Sequence, residues 1–145
     1  MRVKLFIVVL ACSLSTTVCG QTAQNKNQNS SNKNAERNMD FSKLTNPTVK
    51  SAIEAMQANE LNTWYSYFSD NVVFTDDERT LDFKSFFNNA FEKQEKFLTI
   101  DKVENDGKNI YGNFYAGQWG TFNVFFKFTI NEQGKISRLD IGQGK

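Results

Sequence analysis

The stretch YFSDNVVFTDD, residues 67–77, ends an apolar run with two adjacent carboxylates, Asp76 and Asp77. The run NVVFT has the β-branched and aromatic residues of a strand, so the acids stand at that strand's end. A carboxylate that a strand delivers into an apolar pocket loses hydration, which raises its pKa and suits it to act as a general base. Asp76 is therefore the candidate catalytic residue. The alternative interpretation is a solvated strand-end acid that pairs with Arg79.

The composition excludes several other kinds of chemistry. The chain has no histidine, and its two cysteines lie before residue 20. Nucleophiles of the Ser–His or Cys–His type are therefore excluded, as is a zinc site made of His and Cys. Asp76, Asp77 and Glu78 are consecutive, and consecutive strand residues point in different directions. We therefore expect neither a metal site nor a cofactor.

Residues 1–20 have the pattern of a signal peptide. Arg2 and Lys4 precede the uncharged apolar stretch LFIVVLACSLSTTV, and small residues before Gln21 fit a cleavage site. The sequence thus predicts an exported protein, periplasmic or extracellular.

The cysteines of this leader leave a second interpretation open. Acylation of Cys19 or Cys12 would make the protein a lipid-anchored lipoprotein. Cleavage before Gln21 would instead leave no thiol, and therefore no disulfide. No other segment approaches the ~20 apolar residues of a transmembrane helix.

The remainder divides into a tether and one domain. Residues 21–38 are rich in Asn and Gln and lack large apolar side chains, which predicts a disordered tether. Residues 39–145 contain all of the 14 phenylalanines except Phe6 and form the predicted folded domain. The chain has 17 basic and 16 acidic residues without a basic run, so no nucleic-acid partner is expected.

Helical periodicity followed by alternation predicts an α+β domain. The predicted helices are one that begins at Asn46 and Pro47, a short one in LNTWYSYF (61–68), and LDFKSFFNNAFEKQEK (81–96) with Phe83, Phe87 and Phe91 four residues apart. The predicted strands are NVVFT (71–75), FLTIDKVEN (97–105), NIYGNFYAGQ (109–118), WGTFNVFFKFTI (119–130) and KISRLDIG (135–142). The strands at the end of the chain predict an antiparallel meander.

Two of these stretches resemble the nuclear transport factor 2-like superfamily, which includes SnoaL-like polyketide cyclases and ketosteroid isomerases. AMQANELNTWYSYFSDNVVFTDD (55–77) resembles its helices and first strand, and FFKFTINEQGKISRLDI (125–141) resembles its closing hairpin. The resemblance implies a cone-shaped, cystatin-like roll in which a curved antiparallel sheet wraps around the N-terminal helices and encloses a pocket.

The resemblance also implies which residues matter. The expected pocket residues are Trp64, Phe74, Asp76, Phe87, Trp119, Phe126, Phe128 and Leu139, with core packing as the alternative for Trp119. Asp76 falls where ketosteroid isomerases hold their general base. The positions of their oxyanion-hole tyrosine and aspartic acid are Ala52 and Phe126, which cannot donate hydrogen bonds.

Three classes of function remain open. The first is an exported, non-catalytic module that binds an apolar small molecule or interacts with another protein. The second is an isomerase- or cyclase-like enzyme that uses Asp76 as a lone carboxylate on a hydrophobic substrate. The third is an accessory domain whose outer sheet face, around Phe125, docks a partner or a second copy as a homodimer.

Overall fold

The computed structural model describes residues 39–144, and the predicted signal peptide (1–20) and tether (21–38) lie outside this range. The described helices are α1 (Pro47–Gln57), α2 (Leu61–Ser66) and α3 (Phe83–Glu92), with short 3₁₀ turns at Phe41–Lys43 and Gly117–Trp119. The strands are β1 (Phe68–Asp76), β2 (Arg79–Thr80), β3 (Lys96–Phe97), β4 (Lys102–Glu104), β5 (Asn109–Tyr115), β6 (Thr121–Ile130) and β7 (Ile136–Gln143). None of the helices among these residues is long and apolar enough to cross a membrane.

Helix α1 begins where the sequence predicts. The Asn46 side chain accepts a hydrogen bond from the backbone N–H of Val49, and Pro47 occupies the first turn. Its apolar face is buried and includes Val49, Ile53 and Met56. The amide of Gln57, the last helical residue, forms hydrogen bonds of 2.8 and 2.9 Å with the backbone N–H and carbonyl of Phe97. This pair ties the helix to β3.

Trp64 on α2 lies at the centre of an aromatic cluster. Its ring centroid is 4.7 Å from that of Phe68, 5.0 Å from that of Phe87 and 6.1 Å from that of Phe91. The tilted geometries are those that aromatic rings prefer over face-to-face stacking. The cluster packs α2 against α3 and against the start of β1.

The seven strands form one mixed sheet in the order β2-β1-β7-β6-β5-β3, with β4 also paired to β5. The pairs are antiparallel except for β1 and β7, which run parallel. The predicted α+β cone fold is confirmed, and the expectation of a purely antiparallel sheet is corrected by this one pair. The sheet is left open, and its inner face meets the helices.

Cross-strand register places the inward side chains in rows. Phe74, Leu139 and Phe128 are direct neighbours on β1, β7 and β6, and all are buried. The next row along the sheet is Asp76, Ile141 and Phe126. Because residues two apart on a strand share a face, both rows point towards the helices.

The predicted strand 97–105 is interrupted between β3 and β4, which both pair with β5. The irregular residues between them stay against β5, because the N–H groups of Leu98 and Asp101 donate to the carbonyls of Asn113 and Tyr111 at 2.7 and 2.8 Å. Opposite the interruption, a Cβ on Gly112 would overlap the carbonyl oxygen of Thr99. Glycine is therefore what allows the two backbones to approach here.

Candidate ligand-binding site

A cavity of about 340 Å³ lies between α3 and one end of the sheet. Its wall is mostly apolar, with aromatic side chains from α3, β5 and β6. The lining residues are Asp76, Asp77, Phe86, Phe87, Asn89, Ala90, Glu95, Phe114, Ala116, Trp119, Phe122, Val124, Phe126, Ile141, Gly142 and Gln143. The volume is at the lower end of the range of about 300–1,000 Å³ in which small-molecule sites fall.

The structure brings four of the residues expected in the pocket to this cavity, namely Asp76, Phe87, Trp119 and Phe126. The other four, Trp64, Phe74, Phe128 and Leu139, do not line it and are buried in the core instead. Phe74, Leu139 and Phe128 form the row one step deeper than the Asp76 row. They face the predicted side of the sheet, and Phe74 packs there against Phe86 and Phe87 of α3, with ring centroids 4.8 and 5.2 Å away.

Asp76 is half-buried at the edge of the cavity. Desolvation raises the pKa of its carboxyl, the negative charge of Asp77 adds to that rise, and Arg79 opposes it. Arg79 is the residue opposite Asp76 in the β1–β2 hairpin, and it is exposed. The carboxyl thus lies beside the cavity rather than in open solvent.

The turn after Asp76 is strained. Asp77 and Glu78, the two residues between β1 and β2, have φ angles of +45° and +67°. Two-residue hairpins of this kind favour Asn-Gly or Asp-Gly because both central residues have positive φ. The Asp77 carboxylate accepts a hydrogen bond of 3.1 Å from the backbone N–H of Gln143, which joins the turn to β7. Non-glycine residues with positive φ often mark functional sites.

Gly142 makes that junction possible. A Cβ at this position would lie 2.7 Å from the Asp77 Oδ1 and 2.8 Å from the Phe125 ring. Only glycine leaves room for both side chains on the outer side of β7.

Glu95 also lines the cavity, although no pattern in the sequence indicates it. Helix α3 is capped by Asp82, whose carboxylate accepts from the N–H of Ser85, and it ends at Glu92 rather than at the predicted residue 96. Gln94 then adopts φ +54°, and the Glu95 N–H bonds the Ala90 carbonyl at 3.0 Å. This is the Schellman ending, usually made with glycine.

The position of Glu95 changes its chemistry. Desolvation raises the pKa of its carboxyl, and Lys93 opposes that rise. Like Asp76, it is half-buried in the cavity wall. The absence of a glycine after α3 removed the signal that would have shown where the chain turns and Glu95 leaves the helix.

The donors of an isomerase site are absent at the expected positions. Ala52 is fully buried on α1, and Phe126 lies in the cavity wall. Among residues 39–144 no group of three or more His, Cys, Asp or Glu side chains is placed to hold a metal ion. Trp119 is 70% exposed at the cavity, so it forms the rim rather than the core.

Three helices, a curved mixed sheet and a cavity between them define the nuclear transport factor 2-like fold, and the resemblance predicted from the sequence is confirmed at the level of the fold. The chain matches an NTF2-like protein of unknown function from Cytophaga hutchinsonii with a TM-score of 0.56 and 16% identity, over 69% of this chain and 89% of that one. It matches an uncharacterized cystatin-fold protein from Novosphingobium aromaticivorans with a TM-score of 0.55 and 20% identity, over 65% and 93% of the two chains.

A third similar structure is a candidate polyketide cyclase from Sinorhizobium meliloti, with a TM-score of 0.55 and 17% identity over 65% of this chain and 92% of that one. The sequence matches no protein-family model and no curated protein. At these identities the similarity establishes the fold, and function has to be argued from the site.

Proposed function

We propose that the domain binds a small, largely apolar molecule in the cavity between α3 and the sheet. The observation that carries this proposal is the cavity itself, about 340 Å³ of space bounded by phenylalanine, valine, isoleucine and alanine side chains. The cavity opens to solvent beside Trp119, so a ligand could enter it without unfolding of the core. A space of this size beside a well-packed aromatic core therefore fits a ligand.

The polar groups of the cavity support the same proposal. The polar side chains are those of Asp76, Asp77, Asn89, Glu95, Trp119 and Gln143, and the other lining residues are apolar or glycine. Apolar walls with a small number of placed polar groups are typical of small-molecule sites, in which the polar groups orient the ligand.

A cavity-filling variant tests the proposal. Val124 lines the cavity, and Val124→Trp should fill it and abolish ligand binding with the fold retained. Val73→Trp is the matched control, since Val73 is exposed on β1 and does not line the cavity. A panel of aromatic, aliphatic and sterol-like compounds would be screened by the rise in melting temperature, because a ligand that binds only the native state stabilises it.

The proposal predicts at least one compound that stabilises the unmodified protein and Val73→Trp but not Val124→Trp. A panel without a hit would contradict the proposal. So would a hit that stabilises Val124→Trp equally.

A lone-carboxylate enzyme is the second candidate function. Its support is that Asp76 lies at the cavity and that desolvation raises the pKa of its carboxyl, as a general base near neutral pH requires. Ala52 and Phe126 supply no hydrogen bond to a developing oxyanion, which counts against isomerase chemistry. Turnover of a hydrophobic enone or keto substrate that Asp76→Asn abolishes would establish this candidate instead.

We propose further that the protein is exported, which rests on the pattern of residues 1–20 alone. N-terminal sequencing of the mature protein would distinguish cleavage before Gln21 from acylation at Cys19 or Cys12. A mature chain that still begins at Met1 would contradict both. The homodimer through the outer sheet face likewise stays a prediction.

A further inference from the structure

The charged side chains of the cavity wall all have the same sign. Three acidic residues contribute to its lining, Asp76, Asp77 and Glu95, and none of the lining residues is a lysine or arginine. The remaining polar side chains are the amides of Asn89 and Gln143 and the indole of Trp119. An apolar cavity of this size with acids alone as its charged groups selects ligands by charge as well as by shape.

Two of the three carboxyls are without partners in residues 39–144. The Asp77 carboxylate accepts the Gln143 N–H. No ion pair or side-chain hydrogen bond among these residues involves the carboxylate of Asp76 or of Glu95. A half-buried carboxylate without protein donors has lost part of its hydration and has no protein hydrogen bond in exchange.

The basic residues near these two acids do not lie in the cavity wall. Arg79 is close enough to Asp76 to oppose the rise in its pKa, and Lys93 does the same for Glu95. Neither of these side chains lines the cavity. The lining itself therefore supplies no positive charge to either carboxylate.

We infer that the ligand is an apolar molecule with a cationic nitrogen, an alkyl- or arylammonium ion whose body lies among the phenylalanines and whose charge meets Asp76 and Glu95. This inference rests on the proposed binding function and adds the ligand class. A neutral ligand would strip the remaining water from the two carboxylates without replacing it, and an anion would be repelled. An ammonium N–H donates charge-assisted hydrogen bonds to carboxylates, and the indole of Trp119 at the rim offers a further favourable surface for a cation.

Three probes of nearly equal shape separate charge from hydrophobicity: naphthylmethylammonium, naphthylmethanol and naphthoate. Titration calorimetry at neutral pH should give an affinity for the ammonium probe about tenfold or more above that for the alcohol. Naphthoate should bind most weakly. Lowering the pH until the carboxyls of Asp76 and Glu95 are protonated should remove the advantage of the ammonium probe. The other charged groups that face these two carboxyls are Asp77, Arg79 and Lys93.

Matched substitutions locate the effect. The double substitution Asp76→Asn with Glu95→Gln should lower affinity for naphthylmethylammonium about tenfold and leave that for naphthylmethanol unchanged or raised. Asp70→Asn with Glu92→Gln is the control, since both residues are exposed acids outside the cavity, one on β1 and one at the end of α3.

The outcomes separate the inference from the function on which it rests. If naphthylmethanol binds as well as naphthylmethylammonium, and Val124→Trp abolishes both, the binding function stands and the inferred ligand class is overturned. If the control pair weakens the ammonium probe as much as the cavity pair does, the attraction is a general surface effect and the inference is again overturned. If none of the three probes binds, the inferred ligand class is overturned, and so is the proposal that the cavity binds molecules of this size.

Discussion

Asp76 and Glu95 couple the stability of the fold to pH. Both carboxyls have a raised pKa in the folded state, and for both the first cause is loss of hydration. A raised folded-state pKa means that the folded protein holds these protons more tightly than the unfolded chain does. As pH rises from the unfolded pKa through the folded pKa, each group therefore lowers the free energy of unfolding, and below the unfolded pKa this cost is absent.

Asp76→Asn should remove that cost. We expect the variant to have a higher melting temperature than the unmodified protein at neutral pH, with the difference vanishing below the unfolded pKa, near the ordinary aspartic acid value of 3.8. The measurement is the melting temperature as a function of pH. Asp70→Asn replaces an exposed acid on the same strand and is the matched control. A lower melting temperature of Asp76→Asn at neutral pH would show that the ionised carboxylate stabilises the fold.

The sequence identified one of these two acids and not the other, for a physical reason. Asp76 ends a strand whose alternation defines its face, so its direction was predictable. Glu95 owes its position to Gln94, a non-glycine residue in a left-handed conformation. Tertiary packing imposes that conformation against the local preference of glutamine. The spacing of apolar residues in the sequence therefore does not indicate it.

At the scale of elements, the end of α3 positions one wall of the cavity at a local cost. Gln94 has φ +54° after α3, and Asn59 has φ +58° at the same place after α1. L-residues other than Asn and Asp adopt this region at a cost of roughly 1–2 kcal/mol per residue, whereas Asn tolerates it better. The two helices thus end alike with different residues.

Gln94→Gly should stabilise the protein by about 1 kcal/mol, and Asn59→Gly should gain less. Urea unfolding with an unchanged m-value would measure both. A loss of stability in Gln94→Gly would mean that the glutamine side chain makes a contact that outweighs its backbone strain.

The junction of β7 with the β1–β2 turn gives a second prediction at this scale. Gly142→Ala should destabilise the protein by about 1–3 kcal/mol, the usual cost of overpacking, because the new Cβ would meet Asp77 and Phe125. Gly144→Ala is the matched control, since its nearest neighbour would be at an ordinary 3.6 Å. Equal stabilities of the two variants in urea would show that the turn shifts without cost.

At the scale of the whole molecule, the alternation in the sequence predicted the strands and their inner faces but not all their partners. β1 pairs in parallel with β7, more than sixty positions along the chain, as in the register of Asp76 with Ile141. The alternation of apolar and polar residues along a strand indicates which side chains share a face. It does not indicate which other strand pairs with that strand. The alternation also does not show how far α3 covers the sheet, so it could not separate the inward residues that line the cavity, such as Phe126, from those buried beneath, such as Phe74.

The outer face of the sheet carries the remaining prediction, the homodimer. Phe125 is partly buried there, and the Lys127 ammonium lies 4.6 Å from the centre of its ring. We expect light scattering to give the mass of a dimer and Phe125→Ser to give that of a monomer, because loss of the ring removes the apolar centre of the face. Thr129→Ser, on the same face, is the control and should remain a dimer. An unmodified protein that is monomeric at high concentration would contradict the prediction.

The unequal exposure of the chain's two tryptophans gives the protein a built-in optical reporter. Trp64 is fully buried among phenylalanine rings, whereas Trp119 is 70% exposed at the cavity rim. Emission from Trp119 should therefore be red-shifted and quenched by iodide, and that from Trp64 should be neither. A ligand entering the cavity should shift the emission to the blue and protect it from iodide, and Trp119→Phe should abolish the response. The occupancy of the cavity can thus be followed by fluorescence with no added label.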